Sequence, residues 1–551
     1  MRTLLIQPPV QDFYQTSVRT QPIVLAYLAS SLQSRGHEVE IFDCQTEKKK
    51  SIPIPSELSY LKDFYPFDDQ SPFKLYTGFY HFGMGWEEIR KRVEESEAEA
   101  FGISSSFTPY HGEALKVAQL IKEWDSKKIV VMGGSHVSCD PEGVLRSTFV
   151  DYVILGEGEY RLSLLMDCLR RGKQEEIDLM DGVGYRQNGE IRVNHLRSFI
   201  PDLDSIPLPK RDLLDLDRYR INKKRSTMII TSRGCPHGCA YCSAHLVMGS
   251  SFRVRGPENI VREMVECRER YGIEAFDIED DNFTFDQERA KRLMESIIET
   301  FGEKRLELSA MNGVSFASLD SELLSLMKRA GFHTLNLSFV STDLSIKKRM
   351  RRPQSIIDFD PILKEIGKVG LNVVAYAILG IPSQTIEEMT DTLIYLMEKR
   401  VLIGPSIYYP TPGTLLFERC QKDGILPSNL SQWRSSALPI ETKEFNRLDL
   451  ATLLRLARTI NFIKGKMDCG ELEEGITWRE IFQISKGRGV EGKRPGWKDL
   501  MFSLLREKCF FSLRKSLEKN LLIQKEKTSK RVLDYFFERA LGKPILRSRN
   551  D

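Results

Sequence analysis

At 551 residues with a formal net charge of +3, the chain is long enough for several domains of ordinary size, and too evenly charged for wholesale nucleic-acid binding or acidic disorder. Ten cysteines are spread thinly, and only Cys235, Cys239 and Cys242 are clustered. That is metal-site usage in a reducing compartment rather than a disulfide framework. Met1-Arg-Thr-Leu-Leu-Ile-Gln-Pro-Pro9 has too short an apolar core for a signal peptide, and no apolar run approaches a membrane span. The expectation is a cytoplasmic, oxygen-sensitive protein.

Short apolar runs at 3–7, 38–43, 100–105, 128–132 and 152–155 alternate with helical stretches at 22–35, 112–124 and 161–171. This pattern predicts a parallel, doubly wound sheet of the flavodoxin/Rossmann kind over about 1–180. Such sheets bind ligands beyond the carboxyl ends of their strands. The residues there are Pro8 and Pro9, then Ser104, Ser105 and Ser106, then Gly133, Gly134 and His136, then Gly156, Glu157, Gly158 and Glu159. They are small, glycine-rich and polar, as a close approach to a large ligand requires. A long insertion at about 46–97 carries Tyr60, Phe64, Tyr65, Phe67, Phe73, Tyr76, Phe79, Tyr80, Phe82 and Trp86. It reads as a lid over a ligand or as a contact with the next domain. A linker over 181–224 follows. It holds a hairpin turning at Asn188-Gly189 and the proline-stiffened phrase Pro201-Asp-Leu-Asp-Ser-Ile-Pro-Leu-Pro209.

From about 225 to 430 strand and helix repeat six times, with strands at 227–231, 275–278, 306–310, 334–339, 373–379 and 406–409. Helices are expected at 258–271, 287–300, 321–330, 359–369 and 386–399, with Asp320 as an N-cap and Gly331 as a stop. Six such units make a partial (β/α)6 barrel with its site at the carboxyl ends of the strands. The loop leaving the first of those ends is Ser232-Arg-Gly-Cys-Pro-His-Gly-Cys-Ala-Tyr-Cys-Ser-Ala-His245. Its three thiolates can hold three irons of a cubane cluster and leave the fourth iron open, where such clusters ordinarily take four cysteines. The competing reading is a structural zinc site of the three cysteines and His245.

The cysteine loop resembles that of the radical S-adenosylmethionine (SAM) superfamily, and Tyr241 matches the aromatic residue usual before the third cysteine. The resemblance implies a 4Fe-4S cluster on Cys235, Cys239 and Cys242, with SAM on the open iron. In place of the family's Gly-Gly-Glu, the chain has Glu279-Asp280-Asp281-Asn282-Phe283-Thr284, whose Asp280 and Asp281 are then expected at the SAM ammonium. Gly380-Ile-Pro382 matches the turn near adenine. The fourth strand reads Ser338-Phe-Val-Ser341 where relatives have Gly-Ile-Glu-Ser, which leaves Ser338 as the SAM contact on that strand. The first domain resembles the cobalamin-binding domain that precedes many radical SAM enzymes. It lacks Asp-x-His-x-x-Gly, so the resemblance implies base-off cobalamin without a histidine ligand. A generic flavodoxin-like domain is the alternative.

Over 431–551, expected to be mainly helical, no motif points to chemistry. From 493 onward 16 Lys and Arg stand against 7 Asp and Glu, and 497–522 has helical apolar spacing at Trp497, Leu500, Met501, Leu504, Leu505 and Phe511. Such a helix packs on its own domain or makes a peripheral membrane contact. Cys469 and Cys509 read as buried hydrophobes. Together the resemblances imply a methyltransferase that consumes SAM twice. One molecule methylates cobalamin, and the other yields the radical that activates a carbon of a small or lipid-like substrate. A flavodoxin- or ferredoxin-type protein would donate the electron, and no nucleic acid is involved. A radical cyclase or rearranging enzyme is the alternative, and a cobalamin or redox sensor the reading from another class.

Overall fold

The computed structural model describes residues 1–14, 20–45, 48–352, 359–486, 495–516 and 520–546. The first sheet has seven strands. In spatial order they are Glu190–Val193, Val183–Gln187, Tyr152–Ile154, Ile129–Gly133, Ala100–Ser104, Arg2–Gln7 and Glu38–Asp43. The last five are parallel in flavodoxin-like order, so the chain reverses its winding beside Arg2–Gln7, where these sheets take their ligands. Alternation along the strands fills both faces. Leu4, Ile6, Val130 and Met132 meet the helices Trp86–Glu94 and His111–Trp124, whereas Leu5 and Val131 meet Ile23–Ser34 and Glu159–Arg171. The hairpin assigned to the linker turns where expected, with Asn188 and Gly189 both at positive φ (51° and 83°). It is not free, because Val183–Gln187 extends the sheet antiparallel to Tyr152–Ile154.

The barrel strands are Lys224–Ile229, Ala275–Ile278, Glu307–Ser309, Thr334–Val340, Asn372–Leu379 and Leu402–Ile407, parallel within two groups of three. Single bridges at Leu308–Phe332 and Val314–Leu337 join the groups. The sixth strand lies several residues earlier than its apolar run suggested. Its pairing with Val374–Leu379 sets that register, and Tyr408 and Tyr409 belong to the turn that follows. Asp320 caps Ser321–Ala330 by accepting from the Leu323 amide at 2.7 Å, and Gly331 ends the helix at φ 125°.

The insertion is an interdomain contact. Its expected start, Thr46, lies outside the described residues; from Leu58 to Phe79 its side chains join the core of the barrel and C-terminal region. Phe73 meets Phe462 edge-on at 5.2 Å, and the Tyr60 and Tyr65 hydroxyls donate to the carbonyls of Ala437 and Ser436. Two buried ion pairs close the same contact, Asp12–Arg434 at 3.3 Å and Asp69–Arg455 at 2.9 Å.

The C-terminal region departs from expectation in two places, at Cys469 and at the end of the helix that starts at Trp497. The helix expected over 497–522 ends at Glu507, Lys508 turns at φ 47°, and an antiparallel hairpin of Phe511–Lys515 and Leu521–Lys525 follows. Phe510, Phe511 and Leu513 are residues at home on a half-buried strand. The apolar face of Trp497–Glu507 is spent internally, with Leu500, Met501 and Leu504 buried. Cys509 is buried as expected, but Cys469 is exposed at the end of Arg447–Asp468. The basic run also spans Lys493, Arg494, Leu517–Lys519 and 547–551, outside the described residues. No helix among the described residues is long and apolar enough to cross a membrane.

The linker is held by charge. Glu263, on the first barrel helix Pro257–Tyr271, pairs with Arg211 of the linker and with Arg255, each at 2.6 Å, and all three side chains are buried. Burial pushes the Glu263 carboxyl up, but the two guanidinium groups pull it further down, so it stays ionised. Glu263→Gln leaves two buried cations without their partner. It is expected to cost about 3–5 kcal/mol, read as a fall in the thermal midpoint of unfolding.

Candidate active site

The cysteine loop is built from its neck. Ser232–Arg233 pairs antiparallel with Arg253–Val254, so the loop between them leaves the barrel as a closed lobe. Gly234 starts the lobe at φ 84°, where a Cβ would lie 2.3 Å from the Ser251 carbonyl oxygen. Asp280 holds the neck from beneath. It accepts from the Thr231 amide at 2.7 Å, from the Thr231 hydroxyl and from the Ser232 hydroxyl at 2.7 Å. The carboxylate expected at the SAM ammonium is thus buried and already engaged with the neck. Asp281 is different. It takes the Gly234 amide at 3.0 Å and is otherwise exposed beside the loop.

Each cysteine sulfur has a nitrogen donor. The Ala244 amide lies 3.5 Å from the Cys242 sulfur, the Asn282 side-chain amide 3.8 Å from Cys235, and the Arg352 guanidinium 4.0 Å from Cys239. Donors aimed at sulfur are what thiolates in an iron–sulfur site require, and the loop fits such a cluster on that ground. Burial pushes the Cys242 thiol up to about 11, the neighbouring Cys239 adding to it against the Ala244 amide.

Of the other residues expected at SAM, Tyr241 lies against Cys239 and Arg352. Ser338 accepts from Arg352 at 2.7 Å. Gly380 is buried at φ 78° under Leu450 of the C-terminal helix, its amide directed at Met389. That turn packs against the C-terminal region rather than opening into the barrel mouth. Lower in the barrel Asp277 takes the Ser309 hydroxyl at 2.6 Å, and Glu279 takes the Asn312 side-chain amide at 2.7 Å. Burial and the adjoining Asp277 push Glu279 up to about 7.

At the ligand edge of the first sheet, strand register brings Ser104 beside Gly133 and Gly133 beside Ile154. Ser104 and Ser106 share a hydroxyl contact at 3.2 Å, and Ser106 and Phe107 are exposed. Gly133, Gly134, Gly156 and Gly158 are partly exposed. At Gly134, φ 118°, a Cβ would strike the Ser105 carbonyl at 2.7 Å. The hydroxyls and side-chain-free turns suit a large polar ligand, and the edge fits cobalamin in that sense. Five of the expected contacts are buried. Pro8 and Pro9 lie inside, Ser105 is bound to His111 at 2.9 Å, and His136 to Thr108 at 3.1 Å. Burial holds the His136 imidazole down at about 4, so it is neutral.

Glu157 is the fifth. Its carboxylate takes Arg233 at 2.9 Å, Arg253 at 2.8 Å and the Ile200 amide at 2.6 Å, while Glu159 takes Arg233 at 2.5 Å. The loop expected to touch cobalamin is thus ion-paired to the neck of the cysteine loop. Burial pushes Glu159 up, but Arg233 outweighs it and keeps the carboxyl below the usual range. The two edges meet elsewhere too. Ser135–Cys139 packs against Ala244–Val247 of the cysteine loop, which sets Cys139 near Ser243 and Cys242. Tyr14 from the first domain and Tyr409 from the sixth barrel turn also interact. Arg233, Arg253, Cys139 and Arg352 were missed, and the only signal in the sequence was Arg233 standing two residues before the first cysteine.

Residues 229–396 match the family model of the Radical SAM superfamily, and 76–166 that of the B12 binding domain. The chain is a B12-binding radical SAM protein. A domain of the first kind takes a 4Fe-4S cluster and SAM, one of the second takes cobalamin, and both lie in this chain. It is 27% identical over 475 residues to an uncharacterized methyltransferase of Pyrococcus horikoshii, covering 85% of this chain and 94% of that one. It is 26% identical to the cytidylyl-2-hydroxyethylphosphonate methyltransferase of Streptomyces wedmorensis, over 79% of this chain and 84% of that one. The fold is similar to that of the radical SAM methyltransferase TsrM from Kitasatospora setae, solved with cobalamin and a [4Fe-4S] cluster. The TM-score is 0.57 at 17% identity, over 77% of this chain and 78% of that one. The cobalamin-dependent radical enzyme OxsB superposes with a TM-score of 0.59 at 14% identity, over 92% and 71%.

The fold favours the protonated form of Glu279, so the stability this group contributes is complete in acid and is lost as pH rises through about 7. Glu279→Gln removes that loss. Relative to wild type, the variant's melting temperature is expected to climb as pH passes through this range, and parallel curves at all pH values would refute the assignment.

Proposed function

We propose that this protein is a cobalamin-dependent radical SAM methyltransferase acting on an unactivated carbon of a small-molecule substrate. The observation that carries the reading is the joining of the two ligand edges through Glu157 and Glu159 to Arg233 and Arg253. The methyltransferase names of its relatives point the same way.

When bound, the cluster, SAM and cobalamin supply the electron, the radical source and the methyl carrier. The chain's own residues then have these roles. Cys235, Cys239 and Cys242 hold the cluster. Asp281, with its exposed oxygen beside the loop, receives the SAM ammonium, while Tyr241 and Ser338 line the same side. Ser104, Ser106 and the glycines at 133, 134, 156 and 158 receive cobalamin. Buried Pro8, Pro9, Ser105, His136 and Glu157 fix the shape of those turns. Asp280 keeps the neck of the cysteine loop in place. The domains in this reading are the cobalamin domain over 1–180, the linker over 181–224, the radical barrel over 225–430 and the C-terminal region beyond. A flavodoxin- or ferredoxin-type protein of the cytoplasm brings the electron. With the face of Trp497–Glu507 buried, the reading includes no membrane contact there.

Anaerobically reconstituted protein is expected to hold one four-iron cluster, and Cys235→Ala, Cys239→Ala and Cys242→Ala each to abolish it; full iron content in any of the three would remove that cysteine from the ligand set. With cobalamin, reductant and an extract containing the substrate, both S-adenosylhomocysteine and 5′-deoxyadenosine should form, with label from the SAM methyl group appearing in a third molecule. Substrate-stimulated 5′-deoxyadenosine alone would move the assignment to a radical cyclase, and neither product in quantity to a sensor.

A further inference from the structure

The fourth barrel strand ends irregularly. Its pairing with the fifth slips between Ser338 and Val340, leaving Phe339 bulged, and Val340 is buried at φ 71°. A β-branched residue in that region is a genuine outlier, and such strain persists where the surroundings demand it. What the bulge achieves is local. It turns the carbonyl and hydroxyl of Ser338 toward one guanidinium, that of Arg352, which donates to them at 3.2 and 2.7 Å. Held in that way, the other arm of Arg352 points at the sulfur of Cys239, 4.0 Å away, with Tyr241 alongside.

Arg352 is half-buried and has no carboxylate partner among the described residues. A second cation stands close by, the Lys347 ammonium lying 5.3 Å over the ring of the bulged Phe339. A cation collected here without an anion is costly unless the site itself supplies the negative charge. The loop of thiolates does so.

We propose that Arg352, oriented by the bulge at Ser338, is the positioning residue that sets the reduction potential of the cluster by donating to the Cys239 sulfur. The inference rests on the cluster assignment above. Hydrogen bonds to cluster sulfurs and positive charge nearby stabilise the reduced, more negative state and raise the potential. Removing this donor therefore makes the cluster harder to reduce.

The test is a redox titration of the full-length, anaerobically reconstituted protein without SAM. The reduced cluster is followed by electron paramagnetic resonance, and iron and sulfide are counted in every sample. Arg352→Gln is expected to move the midpoint to a more negative potential. Arg352→Lys, which keeps the charge but not the planar fork, should stay nearer wild type. Ser338→Ala, which frees the guanidinium, should shift it in the same direction as Arg352→Gln and by less. Arg352→Gln with full iron and an unchanged midpoint overturns the proposal, as does a change confined to SAM affinity, which would make Arg352 a receptor for the SAM carboxylate. Should Arg352→Gln lose its iron, Ser338→Ala decides, and an unmoved midpoint there refutes the role. A wild-type protein that takes up no cluster would defeat the cluster assignment instead.

Discussion

Two glutamates and two arginines hold this molecule's site together. Glu157 and Glu159 leave the last parallel strand of the first sheet, and Arg233 and Arg253 form the two sides of the neck from which the cysteine loop hangs. Glu157, Glu159 and Arg233 are buried and Arg253 nearly so, so the charges cannot trade their partners for water, and removing one would strand the rest at a cost of about 3–5 kcal/mol. Because the acids belong to the carboxyl edge of the first sheet and the bases to the neck of the cysteine loop, the network fixes one edge against the other. The Glu157 carboxylate is taken, and in that turn Gly156 and Gly158 are the residues left partly exposed.

The same construction recurs away from the site. Glu263 ties the linker to the barrel, Asp12 receives Arg434, and Asp69 receives Arg455. In each case a buried acid from one segment meets an arginine from another. Apolar burial supplies most of the stability of such a core and says little about orientation. Charges that tolerate a single partner supply the orientation. The aromatic insertion shows both at once, with Phe73 against Phe462 as packing and Tyr60 and Tyr65 as hydroxyls directed at two particular carbonyls.

Much of this was legible in the sequence because periodicity and punctuation survive translation into structure. The five parallel strands, five barrel helices and the Asp320 cap sit within a residue or two of their apolar patterns. The cysteine loop was legible for a different reason, since ligand spacing on one loop is local. What could not be read was pairing across hundreds of residues. Nothing in Gly156-Glu157-Gly158-Glu159 tells a ligand contact from an ion pair with Arg233, and both uses favour the same small, acidic turn. Asp280 and Asp281 are adjacent and alike, yet one braces the loop from below and the other stays open, because successive residues past a strand end point to opposite sides. The apolar spacing after Trp497 misled because Phe510, Phe511 and Leu513 suit either period, and the αL turn at Lys508 settles them as a strand.

The ion pairs also set an order in which the protein can be completed as it is made. Asp69 must wait for an arginine 386 residues further on, which at ribosomal speeds of about 5–20 residues per second is ~20–80 s. The first sheet closes on itself within its own segment, but the aromatic insertion that interrupts it has only Phe13 and its own rings to pack against until the last quarter of the chain emerges. For that interval Phe73, Tyr65 and Tyr76 form an oily, unclaimed surface on an otherwise folded domain. Newly synthesised chains are therefore most exposed to mutual sticking at a stage when their first domain is already native. A holding chaperone that shields aromatic patches, or slower growth at lower temperature, would act on this stage rather than on the folding of either α/β unit.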